Sequence, residues 1–96
     1  MSGLEQIKEK APAVRSMAAR HGARNIRIFG SVVRGEAGKD SDVDLLVDMD
    51  DDRSLMDLVA VERELGELLH RKVDVVVDGG VSPYLRDRIY SEAIPL

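Results

Sequence analysis

The chain reads as an α/β (α+β) fold: a small three-stranded mixed sheet, strand order 1-2-3, flanked by helices. Three observations lead there. Apolar residues recur at helical spacing over 4–21, 54–70 and 83–93. Between these stretches lie short β-rich runs at 24–29, 43–49 and 73–77. The 96 residues with 44% hydrophobic content are enough for one core, so a single domain over 1–96 is expected.

Each element has its own justification. Leu4, Ile7, Ala11, Val14 and Ala18 share a helical face, and Pro12 either opens a second helix or kinks a single one. Gly22 is a natural stop. In the first strand Ile26 and Ile28 point to one face. Residues 31–36 can form one or two helical turns, and 43–49 form the second strand. The next helix presents Leu58, Val61, Leu65 and Leu68, opened by Ser54 and Asp57 as a weak capping box, since Glu or Gln is preferred at the second position. Gly66 inside it costs roughly 1 kcal/mol relative to Ala. The β-branched run at 73–77 predicts a third strand buried on both faces. Gly79-Gly80 turns the chain, and Ser82-Pro83 starts a last helix carrying Leu85 and Ile89 and ending near Ala93. A long helix joins strands two and three, so they should be parallel with a right-handed crossover. The shorter link between strands one and two implies an antiparallel pair.

Bulk composition narrows the function. The net charge of −4 divides into +5 over residues 1–34 (seven Lys/Arg, two Glu) and −9 over residues 35–96 (seven Lys/Arg, sixteen acids). The acidic part argues against broad binding to a nucleic-acid backbone. Phe29, Tyr84 and Tyr90 are the only aromatics, too few for a base-stacking platform. Direct nucleic-acid binding is therefore not expected. Cys is absent, which excludes disulfides, thiol nucleophiles and Cys-zinc sites. With no signal peptide and no apolar run of spanning length, a cytoplasmic, non-membrane chain is expected.

From Asp40 through Asp52, seven of thirteen residues are Asp. Crowded carboxylates repel, so either they decorate a solvated loop or a cation belongs among them. Strand periodicity puts Asp42 and Asp44 on one face, with Asp48 further along it. Parallel pairing brings Asp74 to the same sheet end. The antiparallel first strand delivers Gly30 and Ser31 there as well, followed by amides able to hold phosphate. Carboxylates for a divalent cation beside amides for an anion suit phosphoryl or nucleotidyl transfer from a Mg-nucleotide.

Other motifs fail at specific residues. Gly30 to Gly35 opens like a P-loop, but Glu36 and Ala37 replace its Lys and Ser/Thr, and the glycines do not fit the dinucleotide fingerprint. Leu45 stands at the EF-hand glycine position and Asp51 at its Glu position. His21 and His70 sit near predicted helix C-termini, where polar or cationic groups are favoured, and are read as structural. Lys39 reads as exposed loop.

The stretch "FGSVVRGEAGKDSDVDLLV", with Asp74 in "KVDVVV" and the closing "LRDRIYSEAIPL", resembles the nucleotidyltransferases of the DNA-polymerase-β superfamily, and most closely their minimal stand-alone branch. Residues 32–41 form the spacer between Gly-Ser and Asp-x-Asp. Val33 departs from the small residue often found before Arg-Gly, which implies local repacking. The resemblance implies a polymerase-β-like core in which Asp42, Asp44 and Asp74 are catalytic and hold two Mg²⁺, roughly 3.5–4 Å apart as in two-metal sites. Asp74 would bind the second metal and favour deprotonation of the attacking hydroxyl. Gly30 and Ser31 would hold the β and γ phosphates of ATP. Arg34 would either contact phosphate or form a structural ion pair with a nearby Asp. The resemblance further implies an antitoxin that attaches AMP to a tyrosine of a helical HEPN ribonuclease toxin, within a hetero-oligomer. A non-catalytic antitoxin acting by contact and a small-molecule nucleotidyltransferase are the alternatives.

Overall fold

The computed structural model describes residues 3–36 and 42–96. Lys39 and Asp40 lie outside the described residues. Pro12 falls in the first turn of a second helix, where its missing N–H has no intrahelical role. The segment is therefore two helices, α1 (Gly3–Glu9) and α2 (Ala11–Arg20). Then follow β1 (Ala23–Phe29), the single turn α3 (Ser31–Arg34), β2 (Val43–Met49), α4 (Leu55–Leu69), β3 (Val73–Val77), α5 (Pro83–Glu92) and β4 (Ile94–Pro95). Both helix starts expected from side chains are present. Ser54 accepts from the Met56 amide while Asp57 accepts from the Ser54 amide, completing the capping box. Ser82 accepts from the Tyr84 amide ahead of Pro83.

The sheet order is β3-β2-β1-β4. β1 and β2 are antiparallel, and β2 and β3 parallel, as their connections require. The fourth strand corrects the three-stranded expectation. After α5 the chain returns along the outer edge of β1, where Ile94 faces Ile28 and Pro95 faces Arg27. Two residues carry too little periodicity to show as a strand, and only the exposed β1 edge makes them one. A second correction concerns β3. Val73 and Val75 are buried, but Val76 and Val77 are only half-buried, because β3 is the sheet edge. Burial on both faces belongs to the interior strand β2, where Val43, Leu45, Leu46 and Val47 have no exposed surface.

The two faces of the sheet are covered unequally. Val14 and Ala18 of α2 and Val61 and Leu65 of α4 pack on Ile28, Val43, Leu45, Val47 and Val75 to form the main core. Among the described residues the other face carries α5 and the turn before it, with Ile89 and Val81 over Leu46. Asn25, at φ 52, interrupts the β1–β2 register, so Ala23 and Ile26, three residues apart, both reach the main core. His21 ends α2 and contacts Glu64 and Asp57 of α4, tying the two helices together. His70 ends α4 in the left-handed conformation.

Candidate active site

Alternation along β2 turns Val43, Leu45 and Val47 into the main core and Asp44, Leu46 and Asp48 toward the α5 side. Since β2 and β3 are parallel and in register, Asp44 lies directly beside Asp74. Since β1 is antiparallel to β2, Phe29 pairs with Asp44, and Gly30 emerges against the same carboxylate. Gly30 is required on two counts. Its φ of 86° lies where side chains are disfavoured, and a Cβ there would sit 2.3 Å from Asp44 Oδ2. The chain then turns into α3, where the amides of Val33 and Arg34 donate to the Gly30 carbonyl. The leading amides of this turn, at Ser31 and Val32, have no intrahelical acceptor.

The charges at this sheet end are not balanced. Burial raises the Asp44 carboxyl above its ordinary pKa, and the neighbouring Asp74 and Asp42 raise it further, against a smaller lowering by Arg34. Lys72 lies 3.9 Å from Asp42, on an exposed side chain. Arg34 is paired with Glu36 at 3.1 Å and Glu92 at 3.0 Å rather than with an aspartate, and these bonds raise its pKa. Among the described residues no three His, Cys, Asp or Glu side chains form a ready metal-holding group. The donor set nonetheless fits a hard divalent cation. Asp44 and Asp74 are all-oxygen ligands in adjacent register, and Asp42 and Asp74 are close enough to perturb Asp44.

A cleft of about 250 Å³ opens beside Asp44, with Phe29, Gly30 and Arg34 on one side and Leu85, Arg88 and Glu92 of α5 on the other. The α5 residues had no place in the sequence-based site. Their helical spacing was visible, but what it faces depends on where α5 crosses the sheet. A wider cleft of about 480 Å³ between α4 and the β3 edge has Asp74 and Val59 on its wall. Asp74 is thus reachable from a second side, in a cleft that also holds the exposed apolar residue Val59.

Acidic strand ends beside a Gly-Ser turn are the geometry of a nucleotidyl-transfer centre, and the chain belongs to the nucleotidyltransferase domain family, whose model matches residues 7–96. It is similar to the protein adenylyltransferase MntA of Thermococcus cleftensis, 37% identical over 98% of this chain and 96% of that one. A solved structure described as a candidate minimal nucleotidyltransferase is 47% identical, covers 100% of this chain and 97% of its own, and superposes with a TM-score of 0.85. A toxin–antitoxin structure with AMP-PNP, at 21% identity and TM-score 0.71 over 86% of this chain and 69% of that one, shares the fold. No helix among the described residues is long and apolar enough to cross a membrane.

Proposed function

We propose that this chain transfers AMP from Mg-ATP to a hydroxyl of a partner protein, a tyrosine of a HEPN-type helical toxin, and so acts as its antitoxin. The observation that carries the reading is the in-register Asp44–Asp74 pair, with Gly30 packed against Asp44, where among the described residues Arg34 offsets Asp44 only in part and Lys72 reaches Asp42. The full-length similarity to a protein adenylyltransferase supports a protein acceptor.

In this reading Asp42, Asp44 and Asp74 hold Mg²⁺, which when bound neutralises developing charge on the attacking and leaving oxygens. Gly30 and Ser31 hold the β and γ phosphates with their backbone amides, and Arg34 adds a guanidinium to the same anion. The acceptor oxygen bonds to the α-phosphorus as the bond to the β-phosphate bridge breaks. Pyrophosphate leaves with that electron pair. Asp74 stands on the acceptor side and favours loss of the hydroxyl proton. The wider cleft, with the exposed Val59 on its wall, gives a protein acceptor a surface next to Asp74.

Intact-mass spectrometry of the toxin after incubation with ATP and Mg²⁺ tests this. Wild type should add the mass of AMP once or repeatedly. Asp74→Asn nearly preserves shape, so partner binding should survive while transfer falls about a thousandfold or more, as expected when an interaction is made mainly in the transition state. Silencing of the partner by wild type at stoichiometric amounts with no mass added would replace transfer by inhibition through contact.

A further inference from the structure

The deepest consequence of the cleft lies in Glu92, the last residue of α5. Its side chain is only 17% exposed. Oε2 accepts the Gly30 amide at 2.6 Å, and both carboxylate oxygens lie 3.0 Å from Arg34 Nη1. One anion thus takes the backbone donor and the guanidinium that a triphosphate would need. The same carboxylate adds to the charges that raise Asp44. It therefore increases the crowding of acids instead of relieving it. Helix termination does not call for a carboxylate here, since the Ala93 amide closes α5 on the Ile89 carbonyl. What Glu92 does supply is two oxygens in a planar group aimed at a phosphate-type donor set.

Resting on the nucleotidyl-transfer reading, we propose that Glu92 is a tethered anion that competes with the triphosphate for the Gly30 amide and Arg34, and so sets the nucleotide affinity. A polyphosphate carries more charge and more acceptor oxygens than one carboxylate and can displace it. Arg88 gives the displaced group somewhere to go. It is one helical turn earlier, lines the same cleft, and forms no ion pair among the described residues. After pyrophosphate leaves, Glu92 returns to the donors and opposes rebinding.

The test is calorimetric titration of a non-hydrolysable ATP analogue with Mg²⁺, and separately of Mg-pyrophosphate, into wild type, Glu92→Gln and Glu92→Ala. Gln keeps shape and hydrogen-bonding capacity but removes the charge. Both variants should bind both ligands about tenfold more tightly, the scale of exchanging a charge-assisted hydrogen bond for a neutral one. Unchanged or weaker binding by either variant that melts like wild type would overturn the proposal and make Glu92 a positioning residue for Arg34. If one variant is unstable, the other decides. Wild type and an Asp42→Asn, Asp44→Asn double variant run alongside separate the two levels. Equal Mg-nucleotide binding by these two removes the site itself. Binding by wild type alone, without tightening at Glu92, removes only the competition.

Discussion

Asp44 and Asp48 lie on the same face of the same strand, four residues apart, yet their surroundings are opposite. Around Asp48 the charges close. Arg27 bridges Asp48 and Asp78 at 3.2 Å each, Asn25 Nδ2 donates to Asp48 at 3.1 Å, and the Tyr90 hydroxyl donates to Asp78. The Tyr90 hydrogen bond, followed by Arg27, holds the Asp78 carboxyl below its ordinary pKa. Around Asp44 burial and two further aspartates push the other way. A satisfied acid cluster is a brace between β1, β2 and α5. An unsatisfied one is where the proposed Mg²⁺ would belong. Chain composition does not distinguish the two, and the neighbours do.

The largest effect should come from removing charge at the unbalanced end. Asp42→Asn with Asp44→Asn should abolish most of the rise in melting temperature that Mg-ATP gives wild type, a rise that follows from ligand binding only the folded state. The same variant should melt higher than wild type without metal. The sign follows from the raised Asp44 pKa: the folded state prefers the protonated form, so stability is lost as pH rises through that pKa. The gain on mutation is then full at neutral pH and shrinks as pH falls into the carboxylate range. Melting curves with and without Mg-ATP at two pH values check both parts. An unchanged nucleotide response would make the two ends of β2 equivalent.

At the balanced end the expectation reverses. Arg27→Ala leaves Asp48 and Asp78 without their shared cation and should cost about 1–2 kcal/mol in denaturant unfolding. Transfer activity should be largely retained, because the brace does not touch the cleft. A loss of activity without loss of stability would join the two clusters into one functional unit. Tyr90→Phe should be the mildest change. Losing the hydroxyl should let the Asp78 pKa rise toward its ordinary value, read by carboxyl NMR titration. Because that pKa is depressed in the fold, its stabilisation is present above the unfolded value and lost as pH falls through the folded one. The variant should therefore be less stable above the unfolded value, and on acidification it should lose less stability than wild type, the loss ending at a higher pH.

Much of the architecture was legible because it is carried by short-range patterns. Pro12, Ser54 with Asp57, and Ser82-Pro83 marked helix starts through the needs of first-turn amides. Alternation at 43–49 and 73–77 placed Asp44 and Asp74 on one face, and the connection lengths made their strands parallel. The burial of β3 was misjudged because a β-branched run does not say whether a second strand will flank it. For Arg34 an ion pair with an aspartate was one of two readings, and the structure gives it glutamates instead, Glu36 two residues away and Glu92 fifty-eight away.

The chain by itself determined the number and kind of its main elements and the turning of Asp44 away from the face that carries Val43 and Leu45. Each depends on backbone geometry within a few residues. Only the tertiary structure decided that Ile94–Pro95 would become a fourth strand, that Arg27 would neutralise Asp48 and Asp78, and that Glu92 would reach Gly30 from sixty-two residues away. These contacts join segments whose separation in sequence carries no periodic signal. They exist because sheet order and the path of α5 bring particular side chains within hydrogen-bonding reach, and in a low-dielectric cleft that reach decides which charges are satisfied and which are left for a ligand.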